Sequence, residues 1–313
     1  MREYEQQEVS FLQSQDTVVT YEGMPVLIKK SPTAKASGWL DEHERELMER
    51  QRAGQENTPS EPREPSVQEI RDSMGFPNRN LCTEELYTKF ETIHAGDNEV
   101  GLWRYYRRFS ERKPGKPCLI FFHGGGWMGG TPYTVENPCR LIAQLADAVV
   151  FNVDYSLAPE KKFPNGFQDC CAAVRHVWEH ADEYGVDRTK IAVGGDSAGG
   201  NLAAAVSLWD RDMGTHFIAL QVLIYPCVTM LYTGNPGYHF DLGEFEISEE
   251  QRELIDSLIC IARPQSKEDN RIEMEHVYLP NREAAYHPYV SPLLALSHRG
   301  LPKALCISAE FDG

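Results

Sequence analysis

Short apolar runs alternate with helical segments from about residue 82 to the end of the chain, and this alternation strongly constrains the fold. Each run is rich in the β-branched and aromatic residues that strands favour. The runs are EVGLWRYYRR (99–108), CLIFF (118–122), AVVFNV (148–153), IAVGG (191–195), ALQVLIY (219–225) and ALCISA (304–309). The segments between them predict helices over 137–147, 167–185 and 200–212, the first with Asn137 as its cap and Pro138 at its first position. We therefore expect an α/β fold, a mostly parallel sheet with helices on both faces.

Residues 1–80 have a different pattern and predict a helical arm or cap. Trp39, Leu40, His43 and Leu47 share one helical stripe that Gly54 would close, and a polar linker follows. A second helix is expected after Ser66, which has capping-box spacing to Glu69, and before Gly75 and Pro77. Residues 81–313 would form the core. An acidic, helical insert at 228–286, where Ser248 and Gln251 also have capping-box spacing, would contribute to the cap.

Composition excludes several classes of function. The 313 residues carry a net charge of −16, which disfavours nucleic acid and anionic membranes as partners. The N-terminus lacks the apolar stretch of a signal peptide, and no apolar run approaches the ~18 residues of a membrane span. The cysteines form no CxxC pair, and Cys118, Cys227 and Cys306 fall in apolar runs. We expect buried free thiols, no metal site and a cytoplasmic location.

A glycine cluster after the CLIFF run has two incompatible interpretations. Gly124, Gly126 and Gly129 have the spacing of a dinucleotide-binding loop, and Asp154 follows about 25 residues later, where a ribose-binding acid is expected. With His123 in front, the same residues form the HGGG loop that builds an oxyanion hole in esterases. The next expected helix begins only at Asn137, too far away to meet a phosphate held by the loop. This distance favours the hydrolase.

A second glycine cluster strengthens that choice. Gly195, Ser197 and Gly199 form G-x-S-x-G between a predicted strand and a predicted helix, the context of a nucleophile elbow. A serine at so sharp a turn has a strained backbone, so its neighbours two residues away on each side must be very small. The turn would lift the Ser197 hydroxyl clear of the sheet, with the N–H of Ala198 facing the same point.

From about residue 82 onward the chain resembles the hormone-sensitive-lipase-like family of α/β-hydrolase esterases. The matching stretches are HGGGW (123–127), DYSLAPEKKFP (154–164), GDSAGGN (195–201), HPYVSPL (287–293) and LPKALCISAEFDG (301–313). The resemblance implies a carboxylesterase that acts on short- to medium-chain acyl esters through an acyl-enzyme, without metal or cofactor. Its partner would be a small-molecule ester, and a homo-oligomer is compatible with the sequence.

The resemblance also assigns roles to individual residues. Ser197 would be the nucleophile and Asp312 the triad acid, while the amides of Gly125, Gly126 and Ala198 would form the oxyanion hole. His123 would orient the glycine loop, and Asp154 and Glu160 would belong to a stretch that supports the site. Ser156 replaces an arginine usual in that stretch, so a structural ion pair is expected to be missing.

The family's order of nucleophile, acid and histidine leaves no histidine after Asp312 in this sequence. His287 and His298 precede the acid, and neither is expected to replace the missing base. We therefore expect the chain to be a partial esterase that is inactive, or nearly so, by itself. The alternative is a small-molecule binding protein or pseudo-enzyme on the same fold, and a dehydrogenase ranks third.

Overall fold

The computed structural model describes residues 6–56, 66–75, 79–108, 114–231, 243, 245–259 and 274–312. The chain divides into two compact units. The smaller comprises Met1–Arg63, Tyr238–Gln265 and Glu310–Gly313, and the larger comprises Glu64–Gly237 and Ser266–Ala309. The predicted insert at 228–286 is thus shared between the two units.

The larger unit contains a seven-stranded, mostly parallel sheet, which confirms the predicted fold class. Its strands are β3 (Leu86–Ala95), β4 (Asn98–Arg107), β5 (Lys116–Phe122), β6 (Val149–Asp154), β7 (Val186–Asp196), β8 (Leu220–Ile224) and β9 (Lys303–Ile307). They lie in the order β3-β4-β6-β5-β7-β8-β9. The pairs β3–β4 and β4–β6 are antiparallel, and all other neighbours are parallel.

Helices connect these strands as the alternation predicts. The helices of the larger unit are α3 (Val67–Ser73), α4 (Glu136–Leu145), α5 (Asn165–Glu179), α6 (Ala198–Asp212) and α8 (Met274–Tyr278). Helix α6 is buried along most of its length, because it packs against β5, β7 and β8 and contacts the neighbouring α5. The capping box of α3 is confirmed: the Ser66 hydroxyl accepts from the N–H of Glu69, and the Glu69 carboxylate accepts from the N–H of Ser66.

The predicted start of α4 is wrong. A 3₁₀ turn over Pro132–Val135 leads directly into α4, whose cap is Val135 rather than Asn137. The fixed φ of Pro132 favours this earlier turn, and Pro138 is accommodated in the first turn of α4, where its missing N–H has no partner to lose. The distance from the glycine loop to the next helix is therefore shorter than the sequence suggested, and that distance does not exclude a dinucleotide site.

The smaller unit contains more than the predicted helices. Its elements are α1 (Gln6–Ser14), α2 (Glu42–Glu56), α7 (Arg252–Ile259) and an antiparallel hairpin of β1 (Val18–Tyr21) and β2 (Met24–Leu27). Neither α1 nor the hairpin was predicted from the sequence. Leu40, Leu254, Ile255 and Ile259 form its core.

Three predicted helix ends in the smaller unit are wrong. Helix α2 begins after Asp41, whose side chain accepts from the N–H of His43, so Trp39 and Leu40 precede it; the helix also continues past Gly54. Ser248 and Gln251 form no capping box, since the Gln251 side chain instead accepts from the N–H of Leu40.

The thiols only partly follow expectation. Cys118, Cys139, Cys170 and Cys171 are buried, whereas Cys306 is exposed on β9 at the edge of the sheet, and Cys227 follows β8 rather than lying within it. Cys260 lies outside the described residues. None of the helices described is long and apolar enough to span a membrane.

Candidate active site

Three loops that carry the predicted site residues follow three neighbouring parallel strands. Phe122, at the end of β5, lies in register with Gly195 of β7 on one side and with Val153 of β6 on the other. The carboxyl ends of these strands therefore place the glycine loop (residues 123–130), the Ser197 turn and the segment after Asp154 at one edge of the sheet. This edge is where α/β proteins usually bind their ligands.

Ser197 occupies a strained turn between β7 and α6. Its backbone has φ 53° and ψ −117°, a conformation that residues with side chains rarely adopt. A Cβ on Gly195 would lie 2.4 Å from the carbonyl carbon of Gly199, and one on Gly199 would lie 1.9 Å from the carbonyl oxygen of Phe122. The turn is thus possible only with glycine at both positions. It leaves Ser197 half-buried, and α6 starts at Ala198, whose N–H has no helical partner.

The glycine loop folds back on itself beside this turn. Gly125 and Gly126 have φ values of 126° and 57°, and the carbonyl oxygen of Gly125 accepts from the N–H groups of Met128 (3.1 Å) and Gly129 (2.9 Å). Within the described residues, the amides of Gly125, Gly126 and Ala198 donate no hydrogen bond. These three donors are therefore free to bind a ligand oxygen.

His123 is fully buried at the base of the loop. Its Nδ1 donates to the carbonyl oxygen of Gly124 (2.8 Å), and its ring stacks on Tyr155 at a centroid distance of 4.5 Å. The Tyr155 hydroxyl in turn donates to the carbonyl oxygen of His123 (2.7 Å). Burial lowers the pKa of His123 to about 4, so the imidazole is neutral at physiological pH. This environment suits a residue that orients the loop.

Glu160 forms an ion pair that the sequence analysis did not predict, with a partner other than the arginine that Ser156 replaces. Arg71 of α3 donates two hydrogen bonds to its carboxylate, at 2.9 and 2.6 Å, and these bonds lower the pKa of Glu160. The backbone of Ser156 is held separately, because its N–H donates to the fully buried carboxylate of Asp169 (2.8 Å). Asp154 ends β6, is exposed and has a pKa raised by partial desolvation. The motifs gave no sign of Arg71 or Asp169.

The structure shows where the predicted acid and the described histidines lie. Asp312 belongs to the smaller unit and is exposed, with a pKa raised by partial desolvation. None of the histidines in the described residues hydrogen-bonds to Ser197: His287 accepts from the N–H of Tyr289, and His298 contacts the carbonyl oxygen of Pro292. His239 lies outside the described residues.

A cavity of about 670 Å³ adjoins the end of the glycine loop, at Gly129 and Gly130. It is bounded by α3, by Gly129 to Thr134 and by Ser156 to Lys161, and Ser197 does not line it. This cavity is therefore separate from the Ser197 turn. In the described residues, no group of acidic, histidine and cysteine side chains has the arrangement of a metal site.

Comparison with known proteins identifies the family. Residues 119–313 match the model of the alpha/beta hydrolase fold family, and the chain belongs to that family. Among curated relatives, it is 47% identical over 160 residues to the esterase LipI of Mycobacterium tuberculosis, which covers 51% of this chain and 50% of that protein. It is 34% identical over 194 residues to an arylesterase of Saccharolobus solfataricus, with 62% and 57% covered.

Solved structures that resemble this chain include esterases. A hyperthermophilic esterase from Pyrobaculum calidifontis superposes with a TM-score of 0.67 at 29% identity, covering 87% of this chain and 80% of that one. An arylesterase structure superposes with a TM-score of 0.65 at 28% identity, covering 87% and 81%. The chain spans only about half the length of the curated relatives that it matches.

Proposed function

We propose that this chain is a hormone-sensitive-lipase-like serine carboxylesterase that carries the nucleophile and oxyanion hole for cleaving short- to medium-chain acyl esters. The observation that carries the proposal is the backbone of Ser197, held at φ 53° between two positions that admit only glycine. Strain of this kind costs about 1–3 kcal/mol and persists mainly where function requires it. The relatives named esterase and arylesterase support the same chemistry.

The proposed reaction is acyl transfer through Ser197. Its Oγ attacks the ester carbonyl carbon, and the carbonyl electron pair moves onto the oxygen, which accepts from the amides of Gly125, Gly126 and Ala198. Each such donor stabilises the transition state by roughly 2.7–4 kcal/mol in known hydrolases. The histidine base takes the proton of the Ser197 hydroxyl and gives it to the leaving alcohol. Water then attacks the acyl-enzyme, which releases the carboxylic acid and restores the Ser197 hydroxyl. Asp312 is proposed as the acid that orients the histidine base of the triad.

Catalysis by Ser197 requires a base, and this requirement limits the rate of ester cleavage that we expect. No histidine contacts Ser197 in the part of the chain that the structure describes. A serine hydrolase without its base retains only ~10³–10⁴-fold acceleration, from the oxyanion hole and substrate binding. We therefore expect slow ester cleavage by this polypeptide, and free imidazole should accelerate it by supplying the proton acceptor.

Hydrolysis of p-nitrophenyl esters from acetate to dodecanoate tests the proposal, with and without imidazole. The matched control is Ser197→Ala, whose rate gives the background reaction of imidazole with each ester. The proposal expects an imidazole-dependent excess in the wild-type chain, largest for short and medium acyl groups. Equal rates in the two proteins for every ester would contradict it. That result, together with saturable ester binding, would favour the second candidate, a small-molecule binding protein, which the lack of a histidine contact to Ser197 among the described residues also favours.

A further inference from the structure

Arg71 joins helix α3 to two loops of the candidate site. Its Nε donates to the carbonyl oxygen of Met128 (2.6 Å), and its Nη2 donates to the carbonyl oxygen of Ala158 (2.9 Å). Both terminal nitrogens also bind the Glu160 carboxylate. One guanidinium therefore holds the glycine loop and the segment after β6 together through acceptors that lie 30 residues apart in sequence, at Met128 and Ala158.

The two loops are also bonded to each other at the same place. The N–H of Ala158 donates to the carbonyl oxygen of Trp127 (2.9 Å), and the N–H groups of Met128 and Gly129 donate to the carbonyl oxygen of Gly125. Arg71 binds the carbonyl oxygen of the peptide group between Met128 and Gly129. The N–H of the same peptide group donates to the carbonyl oxygen of Gly125. A shift of Met128 would be transmitted to the Gly125 and Gly126 amides.

Helix α3 also contacts the loop sterically. A Cβ on Gly129 would lie 2.4 Å from the sulfur of Met74 and 3.2 Å from Cγ of Arg71, so the helix packs against bare backbone. The capping box of Ser66 and Glu69 fixes the start of this short helix. Because these contacts leave little room for movement, the guanidinium approaches the loop in a defined orientation.

We propose that Arg71 is a positioning residue that fixes the orientation of the Gly125 and Gly126 amides, an inference that rests on the proposed oxyanion hole. The Glu160 carboxylate fixes the plane of the Arg71 guanidinium. The guanidinium in turn fixes the positions of the carbonyl oxygens of Met128 and Ala158. The Arg71 side chain is only 23% exposed, whereas that of Glu160 is 61% exposed, so the contacts on the loop side are the better shielded ones. A lysine would supply a single ammonium group and could not reproduce this planar fork.

Amide hydrogen exchange and kinetics of the full chain test the role of Arg71. In Arg71→Gln, exchange at the amides of Met128, Gly129 and Ala158 should accelerate about tenfold, because the loop opens locally more often. The Asn201 amide, which donates to the carbonyl oxygen of Ser197 from within α6, should keep its wild-type rate. Arg107→Gln is the matched control, because Arg107 makes a similar bidentate pair with Glu84 away from the loop.

With imidazole present, Arg71→Gln should lower kcat for p-nitrophenyl butyrate about tenfold and change KM less than twofold, since the amides act on the transition state. The kcat of Arg71→Lys should lie between those of Arg71→Gln and the wild-type chain. Unchanged exchange at the three loop amides would overturn the proposal, and so would equal acceleration at Asn201, which would indicate general destabilisation. If the wild-type chain cleaves no ester, the proposed function fails, and the exchange rates alone then decide whether Arg71 holds the loop.

Discussion

The backbone N–H of Gly124 donates a hydrogen bond of 2.9 Å to the carboxylate of Asp196, the residue immediately before Ser197. This bond joins the glycine loop to the turn that presents the proposed nucleophile. A Cβ on Gly124 would lie 2.4 Å from the other carboxylate oxygen, so the approach requires glycine. The relative placement of the two loops therefore depends on Asp196 as well as on the strand register beneath them.

Removing the Asp196 carboxylate should loosen both loops. We expect Asp196→Ala to lower the free energy of unfolding by about 1–3 kcal/mol, because the Gly124 N–H loses its acceptor in a half-buried site. Asp196→Asn keeps an acceptor oxygen and should lose less. Urea unfolding at neutral pH measures both variants, and equal losses in the two would show that the hydrogen bond is not the cause.

The strain at Ser197 predicts that glycine stabilises the fold at this position. Glycine adopts φ 53°, ψ −117° far more readily than serine, whereas alanine meets the same steric conflict. After allowing for the larger backbone entropy of unfolded glycine, Ser197→Gly should be more stable than Ser197→Ala by about 1 kcal/mol. Thermal or urea unfolding measures the difference. A less stable glycine variant would mean that the backbone conformation at Ser197 is not strained.

Burial of His123 makes stability dependent on pH. Its native pKa of about 4 lies below the ordinary 6.5, so the unfolded chain binds a proton that the native state excludes as the pH falls from 6.5 to 4. Native stability attributable to this residue is complete above pH 6.5 and declines below it, by at most ~1.4 kcal/mol per pH unit. His123→Asn, whose amide can still donate to Gly124, should flatten this slope.

The control for that experiment is His94→Asn, which changes an exposed histidine on β3. The free energy of unfolding is measured from pH 7 to pH 4 in all three proteins. The control should keep the wild-type slope. If His123→Asn keeps it too, His123 is not the group that titrates.

The outer edge of β9 predicts self-association of the 313-residue polypeptide. β9 is the last strand of the sheet, no described strand pairs with its outer side, and all its residues are exposed. Unpaired strand edges recruit other chains, and an edge lysine blocks this pairing. We expect concentration-dependent association in analytical ultracentrifugation that Leu305→Lys reduces.

Leu145→Lys is the matched control for the edge, because Leu145 is 74% exposed on α4 and Leu305 is 51% exposed on β9. It adds the same charge away from the strand edge and should leave association unchanged. Equal reduction by both variants would assign the effect to net charge. A wild-type chain that stays monomeric at high concentration would contradict the prediction outright.

An element could be predicted from the sequence where its own residues carry a clear pattern of buried and exposed positions. The buried parallel strands were predicted because each is a continuous apolar run, as in CLIFF and AVVFNV. β3 was missed because it is an antiparallel edge strand with Ile93 as its only buried residue, and every residue of the β1–β2 hairpin is exposed. Such strands show no alternation of burial, although Glu22–Gly23, both at positive φ, is a turn signal that could have revealed the hairpin.

In the candidate site, too, the local features could be predicted from the sequence and the contacts between distant residues could not. The Ser197 turn depends on residues two positions away, so a short motif contains all the information that its geometry needs. The pairing of Arg71 with Glu160 joins residues 89 positions apart, and only the folded chain brings them together. The start of α4 was misplaced because two prolines, Pro132 and Pro138, are both compatible with a helix start.

Covalent trapping is the most direct test of whether Ser197 is the nucleophile. The wild-type chain and Ser197→Ala are incubated with an alkyl fluorophosphonate and imidazole, and the adduct is located by peptide mass spectrometry. We expect one phosphonyl group per chain, on the Oγ of Ser197, with fluoride released and no adduct in the variant. An adduct at another residue, or equal labelling of both proteins, would contradict it.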